Sequence, residues 1–201
     1  MSHNTSCNNC KSILYEMLRI NFGTIEYKYP PNVPTHLESL ESFTSKRTYN
    51  FLCKIYNAIS NYRQFDDFVK MKSLQRCDIF LPELNCIVEI DESQHFTAAR
   101  AISLSSYPKS LVLGYDKKQW LQYCGSYNRK DPNPPYRDEQ RAWYDTLRDF
   151  LPLLKDLNPT IRIHIGDIPW CSLNPKSKRD RVKFRELVFV NEQLKKGRTN
   201  G

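Results

Sequence analysis

Apolar positions along the chain switch between a helical and an alternating period. Residues 10–21 place Ile13, Leu14, Met17, Leu18 and Ile20 on one helical stripe, with Ser12 as a candidate cap. Residues 28–36, KYPPNVPTH, break into a proline-rich loop. Residues 37–68 read as helix, with Tyr49, Phe51, Leu52, Ile55, Tyr56 and Ile59 as the apolar stripe and Arg47, Lys54 and Arg63 outside it. Two short apolar runs, 77–81 and 86–91, flank a turn-like segment and predict a β-hairpin. Residues 96–106 are helix-prone and stop before Pro108, and residues 110–115 (SLVLGY) read as a buried strand reached by a right-handed crossover. A polar, proline-rich loop over 124–137 follows, long enough to suggest function or disorder. Next comes an amphipathic helix from 138 toward 157, with Trp143, Leu147, Phe150 and Leu151 on one side and Pro152 kinking or ending it. Residues 160–165 alternate as an edge or antiparallel strand, Ile161, Ile163 and Ile165 inward, Arg162 and His164 outward. The pattern predicts an α/β fold.

The polar positions become informative at residues 77–96, CDIFLPELNCIVEIDESQHF. Of the acids Asp78, Glu83, Glu89, Asp91 and Glu92, three (Asp78, Glu89 and Asp91) sit inside apolar runs. Strands disfavour Asp, and a buried carboxylate is costly unless paired or bound to metal. Alternation puts Glu89 and Asp91 on one face and Val88 and Ile90 on the other, and hairpin pairing brings Asp78 beside the acids. Three converging carboxylates repel one another unless a divalent cation neutralises them, and hard oxygen ligands suit Mg²⁺ or Mn²⁺. The competing reading is an exposed hairpin whose acids are simply solvated. Gln94 and His95 follow at the strand end, where sites in α/β proteins gather.

Asp78, the gap after it, and Glu89-Ile90-Asp91 resemble the PD-(D/E)xK nuclease superfamily. The nearest likeness is to small endonucleases related to very-short-patch-repair and restriction enzymes, whose strand reads IEIDG-x-QH. The resemblance implies a restriction-endonuclease-like mixed central sheet flanked by helices. It implies that Asp78 and Glu89 are the metal-binding pair, and it places Asp91 where most members carry Lys, as a third ligand. Water activation then falls to Gln94, His95 or a migrated lysine such as Lys109. Glu16 stands where many members have a helical Glu near the metals, with a solvated role as the plainer alternative. The implied activity is Mg²⁺-dependent hydrolysis of double-stranded DNA, type II restriction-like. The alternatives are a mismatch-repair or mobile-element nuclease, a catalytically decayed nucleic-acid-binding module, or an accessory subunit. Cutting both strands implies a homodimer.

Composition fits this expectation. The 201 residues, 40% hydrophobic and 12% aromatic, suit a single domain with a catalytic core over 10–120 and an elaboration over 121–201. The net charge of +8 favours a polyanionic partner. Candidate phosphate contacts are Arg100, the approach residues Lys70, Lys72 and Arg76, and the cluster Lys176, Lys178, Arg179, Arg181, Lys183 and Arg185. Asn128, Arg129 and Lys130, with Tyr127, are candidate base or phosphate readers in the 124–137 loop. Each group has a solvated-surface alternative. The seven cysteines do not form a secreted disulfide framework. Cys7-x-x-Cys10 is half of a zinc motif, so structural Zn²⁺ is the lesser alternative to free thiols. No run reaches the roughly 18 apolar residues of a membrane span, and the N-terminus lacks a signal layout. The expected location is the cytoplasm or nucleoid.

Overall fold

The computed structural model describes residues 8–188. A four-stranded mixed sheet forms its centre, in the order β1 (Glu26–Tyr29), β2 (Cys77–Leu81), β3 (Cys86–Asp91), β4 (Asn158–His164). The β1–β2 and β2–β3 pairs are antiparallel, and β4 joins β3 in parallel. Helices α1 (Asn8–Phe22), α2 (Leu37–Phe43), α3 (Lys46–Arg63), α4 (Ala98–Ser105), α5 (Lys117–Tyr127), α6 (Arg137–Asp149), α7 (Leu151–Lys155) and α8 (Lys178–Val188) accompany the sheet. None of the described helices is long and apolar enough to cross a membrane.

Two apolar clusters lie on the two faces of the sheet. One packs α1, α8 and the turn at Trp170–Ser172 against Ile79, Leu81, Val88, Ile90, Ile161 and Ile163. The other gathers Leu52, Ile55 and Ile59 of α3 with Trp143, Leu147 and Phe150 around α6, together with Cys77 and Ile87. β3 is buried at all six positions, as expected of a strand covered on both sides.

Local chemistry sets the helix ends. Ser45 caps α3 by accepting from the Thr48 N–H, Thr97 caps α4 through Arg100, and Asp116 caps α5 through Lys118. Gln64 and Asn128 close α3 and α5 in the left-handed conformation. Ser12 lies inside α1 rather than at its cap. The region expected as one helix from 37 is two, α2 and α3, parted at Thr44 and Ser45. Pro152 falls in the first turn of α7, where its missing N–H costs nothing, and so separates α7 from α6.

Two expectations about the sheet are corrected. Residues 110–115 form no strand. Gly114 instead runs so close to β4 that a Cβ there would lie 2.6 Å from the Thr160 carbonyl oxygen. The parallel partner of β3 is β4, reached by a crossover through α4 to α7. Arg162 and His164, expected outward, are 3% and 1% exposed, because α6 covers Arg162 and α5 with Phe96 covers His164. β4, which lies beyond residue 120, is thus part of the central sheet.

Candidate active site

The hairpin turns through Pro82–Leu84 and Asn85, the latter left-handed, and pairs Ile79 with Val88 and Phe80 with Ile87. The same register sets Asp78 opposite Glu89. The Ile90 N–H donates to Asp78 Oδ2 at 2.9 Å, and the Asp78 N–H donates to Glu89 Oε1 at 3.3 Å. Asp78 Oδ1 has no hydrogen-bond partner among the described residues. Both acids lie in a cleft of about 410 Å³ at this end of the sheet. α1 supplies one wall with Lys11 and Tyr15, and α6 supplies the other with Arg137, Arg141, Tyr144 and Arg148. Arg76, on the approach to β2, and Gln94 and His95, in the short turn after β3, complete the rim.

Glu89 is 5% exposed, and burial pushes its carboxyl up to about 7, with the Asp78 charge adding to the rise and Arg148 opposing it. Arg148 Nε lies 3.3 Å from Glu89 Oε2. A divalent cation binding at Glu89 must displace this proton.

Asp91 shares a strand face with Glu89 but does not line the cleft. Its Oδ1 accepts from Arg162 and its Oδ2 from the Trp120 indole, both at 2.7 Å. Arg162 also donates to Asp149 Oδ1 at 2.7 Å and lies 3.4 Å from Asp145 Oδ1. Asp149 accepts further from Arg100, Tyr107 and Tyr115. Beneath the cleft, the carboxyl groups of Glu89, Asp91, Asp145 and Asp149 thus meet the guanidiniums of Arg100, Arg148 and Arg162, and His95 packs against Asp145. Burial works against a charged His95, but the charge and hydrogen bond of Asp145, 3.0 Å from Nδ1, outweigh it and raise its pKa. Asp91, His95 and Asp145 offer ligand atoms within 4.8 Å of one another and could hold a metal ion. A cation there would share Asp91 with Arg162 and Trp120, whereas Asp78 brings no competing guanidinium.

The remaining expected residues scatter. Arg100, expected at a phosphate, is 1% exposed and bound to Asp149 at 2.6 Å, so it is structural. Asn128, Arg129 and Lys130 are exposed and do not line the cleft, and the Arg129 N–H is pinned to the Phe96 carbonyl at 3.0 Å. Lys176, Lys178, Arg179 and Lys183 are exposed and Arg181 half-buried, on and before α8, and none of them lines the cleft. Neither Glu16 nor Lys109 lines it. Cys7 lies outside the described residues. Cys10 is buried, and its sulfur accepts from the Cys171 N–H at 3.4 Å.

Lys11, Asp145 and the arginines of α6 went unread in the sequence. A signal existed for the arginines. Arg137, Arg141, Tyr144 and Arg148 recur at helical spacing and form one stripe, which hydrophobic periodicity alone passes over. The chain matches no protein-family model, no curated protein and no solved structure.

Proposed function

We propose that the chain is a divalent-metal-dependent hydrolase of phosphodiester bonds in DNA, on a restriction-endonuclease-like version of the α/β fold. One observation carries the reading: a hairpin sets Asp78 and Glu89 side by side in a cleft rimmed by Arg76, Arg137 and Arg141. Acids on the floor and cations on the rim are the arrangement a phosphodiester needs when a metal ion lies between them.

The donor set fits Mg²⁺ or Mn²⁺. Both ligands are hard oxygens, Asp78 Oδ1 is unbonded, and Glu89 is desolvated beside a second acid. Asp78 and Glu89 would hold the ion, which supplies a polarised phosphate and a water of lowered pKa. The chain's own groups do the rest. Arg148 holds Glu89 and neutralises part of its charge. His95 lies 3.0 Å from Asp145 through Nδ1, and Asp145 favours its protonated form, which is suited to donating to a phosphate oxygen. Gln94 is exposed at the rim, where its backbone carbonyl accepts from Arg141 at 2.7 Å. Asp91, engaged by Arg162 and Trp120, anchors β3 to β4 and α5.

The test is incubation of supercoiled plasmid with the protein and Mg²⁺, followed by mapping of cut ends. Cleavage is expected, and it should be lost in Asp78→Ala and Glu89→Ala with the circular dichroism spectrum retained. Discrete fragments indicate a restriction enzyme, and nicks at mismatches a repair nuclease. Undiminished cutting by both variants rejects the site. A second reading, a binding module on a decayed nuclease scaffold, is favoured by Asp91 where the resembled family carries Lys; duplex binding without any cleavage would select it.

A further inference from the structure

Lys11 is the only lysine among the described residues that line the cleft. It projects from the first turn of α1, one turn ahead of Tyr15, and both side chains lie in the field of the Asp78 carboxylate. Its ammonium is paired with Glu92 Oε1, just past the end of β3, so one ion pair ties α1 to the hairpin at the cleft. Lys11 and Glu92 retain 42% and 34% side-chain exposure, so the pair is solvated and exchangeable.

Arg76 is exposed on the rim, and the other cations of the cleft are more firmly engaged. Arg148 is held by Glu89 and Asp145, Arg141 by Asp131 and the Gln94 carbonyl, and His95 by Asp145. Arg137 lies 3.0 Å from Asp131. Glu92 makes one further contact, accepting from Gln94 Nε2 at a long 3.4 Å. Lys11 is therefore the lysine beside Asp78 whose partner is a single, half-exposed carboxylate.

We propose that the Lys11–Glu92 ion pair is a latch over the cleft, and that a phosphate oxygen of a bound nucleic acid opens it by replacing Glu92 at the Lys11 ammonium. This rests on the nucleic-acid reading above and adds to it a phosphate-binding residue and a built-in competitor. The exchange is favourable for three reasons. A phosphodiester oxygen is as good a partner for an ammonium as a carboxylate. The freed Glu92 returns to water. The ammonium needs no carboxylate partner to stay charged at neutral pH. The proposal also accounts for a lysine function at a site where β3 itself carries Asp91.

The experiment is a double-mutant cycle on duplex binding, with Lys11→Met, Glu92→Gln and the double variant, read by anisotropy of a fluorescein-labelled random-sequence DNA duplex in Ca²⁺ at low salt. Glu92→Gln should bind about threefold more tightly than wild type, the size of one exposed ion pair. Lys11→Met should bind more weakly and lower the salt slope by about one. In the Lys11→Met background the Glu92→Gln gain should vanish, because no ammonium remains to be released. An equal gain in both backgrounds overturns the latch, since it would mark Glu92 as a general repulsive charge. Wild-type protein that fails to bind the duplex overturns the nucleic-acid reading itself. Equal melting temperatures across the set tie the differences to binding and not to folding. Lys11→Arg, which keeps the charge, should restore most of the affinity; failure to do so also counts against the latch.

Discussion

Replacing Glu89 by Gln removes a carboxyl whose proton is held up to about 7 in the folded chain against an ordinary 4.5. Between those values the folded protein binds more protons than the unfolded one, so stability falls as pH rises. The stabilisation is fully present below the unfolded value and is gone once the folded value is passed. At 1.36 kcal/mol per pH unit, the metal-free protein should lose about 2.5 kcal/mol between about pH 5 and about pH 8 from this group alone. His95 acts in the same direction, since its pKa is also raised in the fold. Urea unfolding in chelator at the two pH values measures the loss, and Glu89→Gln should reduce it by about 2.5 kcal/mol. Metal binding supplies an independent reading, because a divalent ion must displace the Glu89 proton. Mn²⁺ affinity by titration calorimetry should rise about tenfold from about pH 6 to about pH 8 in the wild type, then level off, with proton release below about pH 7. Equal pH slopes in wild type and Glu89→Gln, for stability and for Mn²⁺, would refute the assignment of this proton to Glu89 and of the metal to its carboxylate.

Arg162→Met leaves Asp91, Asp145 and part of Asp149 buried without their guanidinium and should cost about 3–5 kcal/mol in urea unfolding; a loss under about 1 kcal/mol would show the network to be locally self-sufficient. Lys178, Arg179 and Lys183 are exposed, and replacing all three by Ala should lower the salt slope of duplex binding by up to about three; an unchanged slope would make the α8 cluster surface charge only.

The hairpin was legible because its determinants are local. A turn-forming segment between two apolar runs fixes the register, and the register fixes which acids are neighbours, so Asp78 beside Glu89 follows from spacing. Asp91 was legible only as an acid on the same face as Glu89. Its partners, Arg162 and Trp120, come from 71 and 29 residues away. Strict alternation in β4 marked Arg162 and His164 as outward because alternation assumes one wet face. α6 covers Arg162 with Asp145 and Asp149 and α5 covers His164 with Tyr123 and Tyr127, so the polar stripe is buried. The SLVLGY segment failed for a different reason: it runs beside β4 at Gly114 without forming a strand, and Val112 remains 42% exposed.

By itself the sequence determined the alternation of helices and strands, the basic net charge, and the pairing of two carboxylates across one tight turn. Each is set by contacts within a few residues or by composition. Only the tertiary structure decided that β4 is the parallel neighbour of β3, that Asp91 and Arg100 are consumed by a buried charge network, and that α1 and α6 bring Lys11 and a stripe of arginines to the same cleft. Those arrangements join segments as far apart as Lys11 and Arg148, more than half the chain. They are selected by mutual burial and charge compensation, which no local window contains.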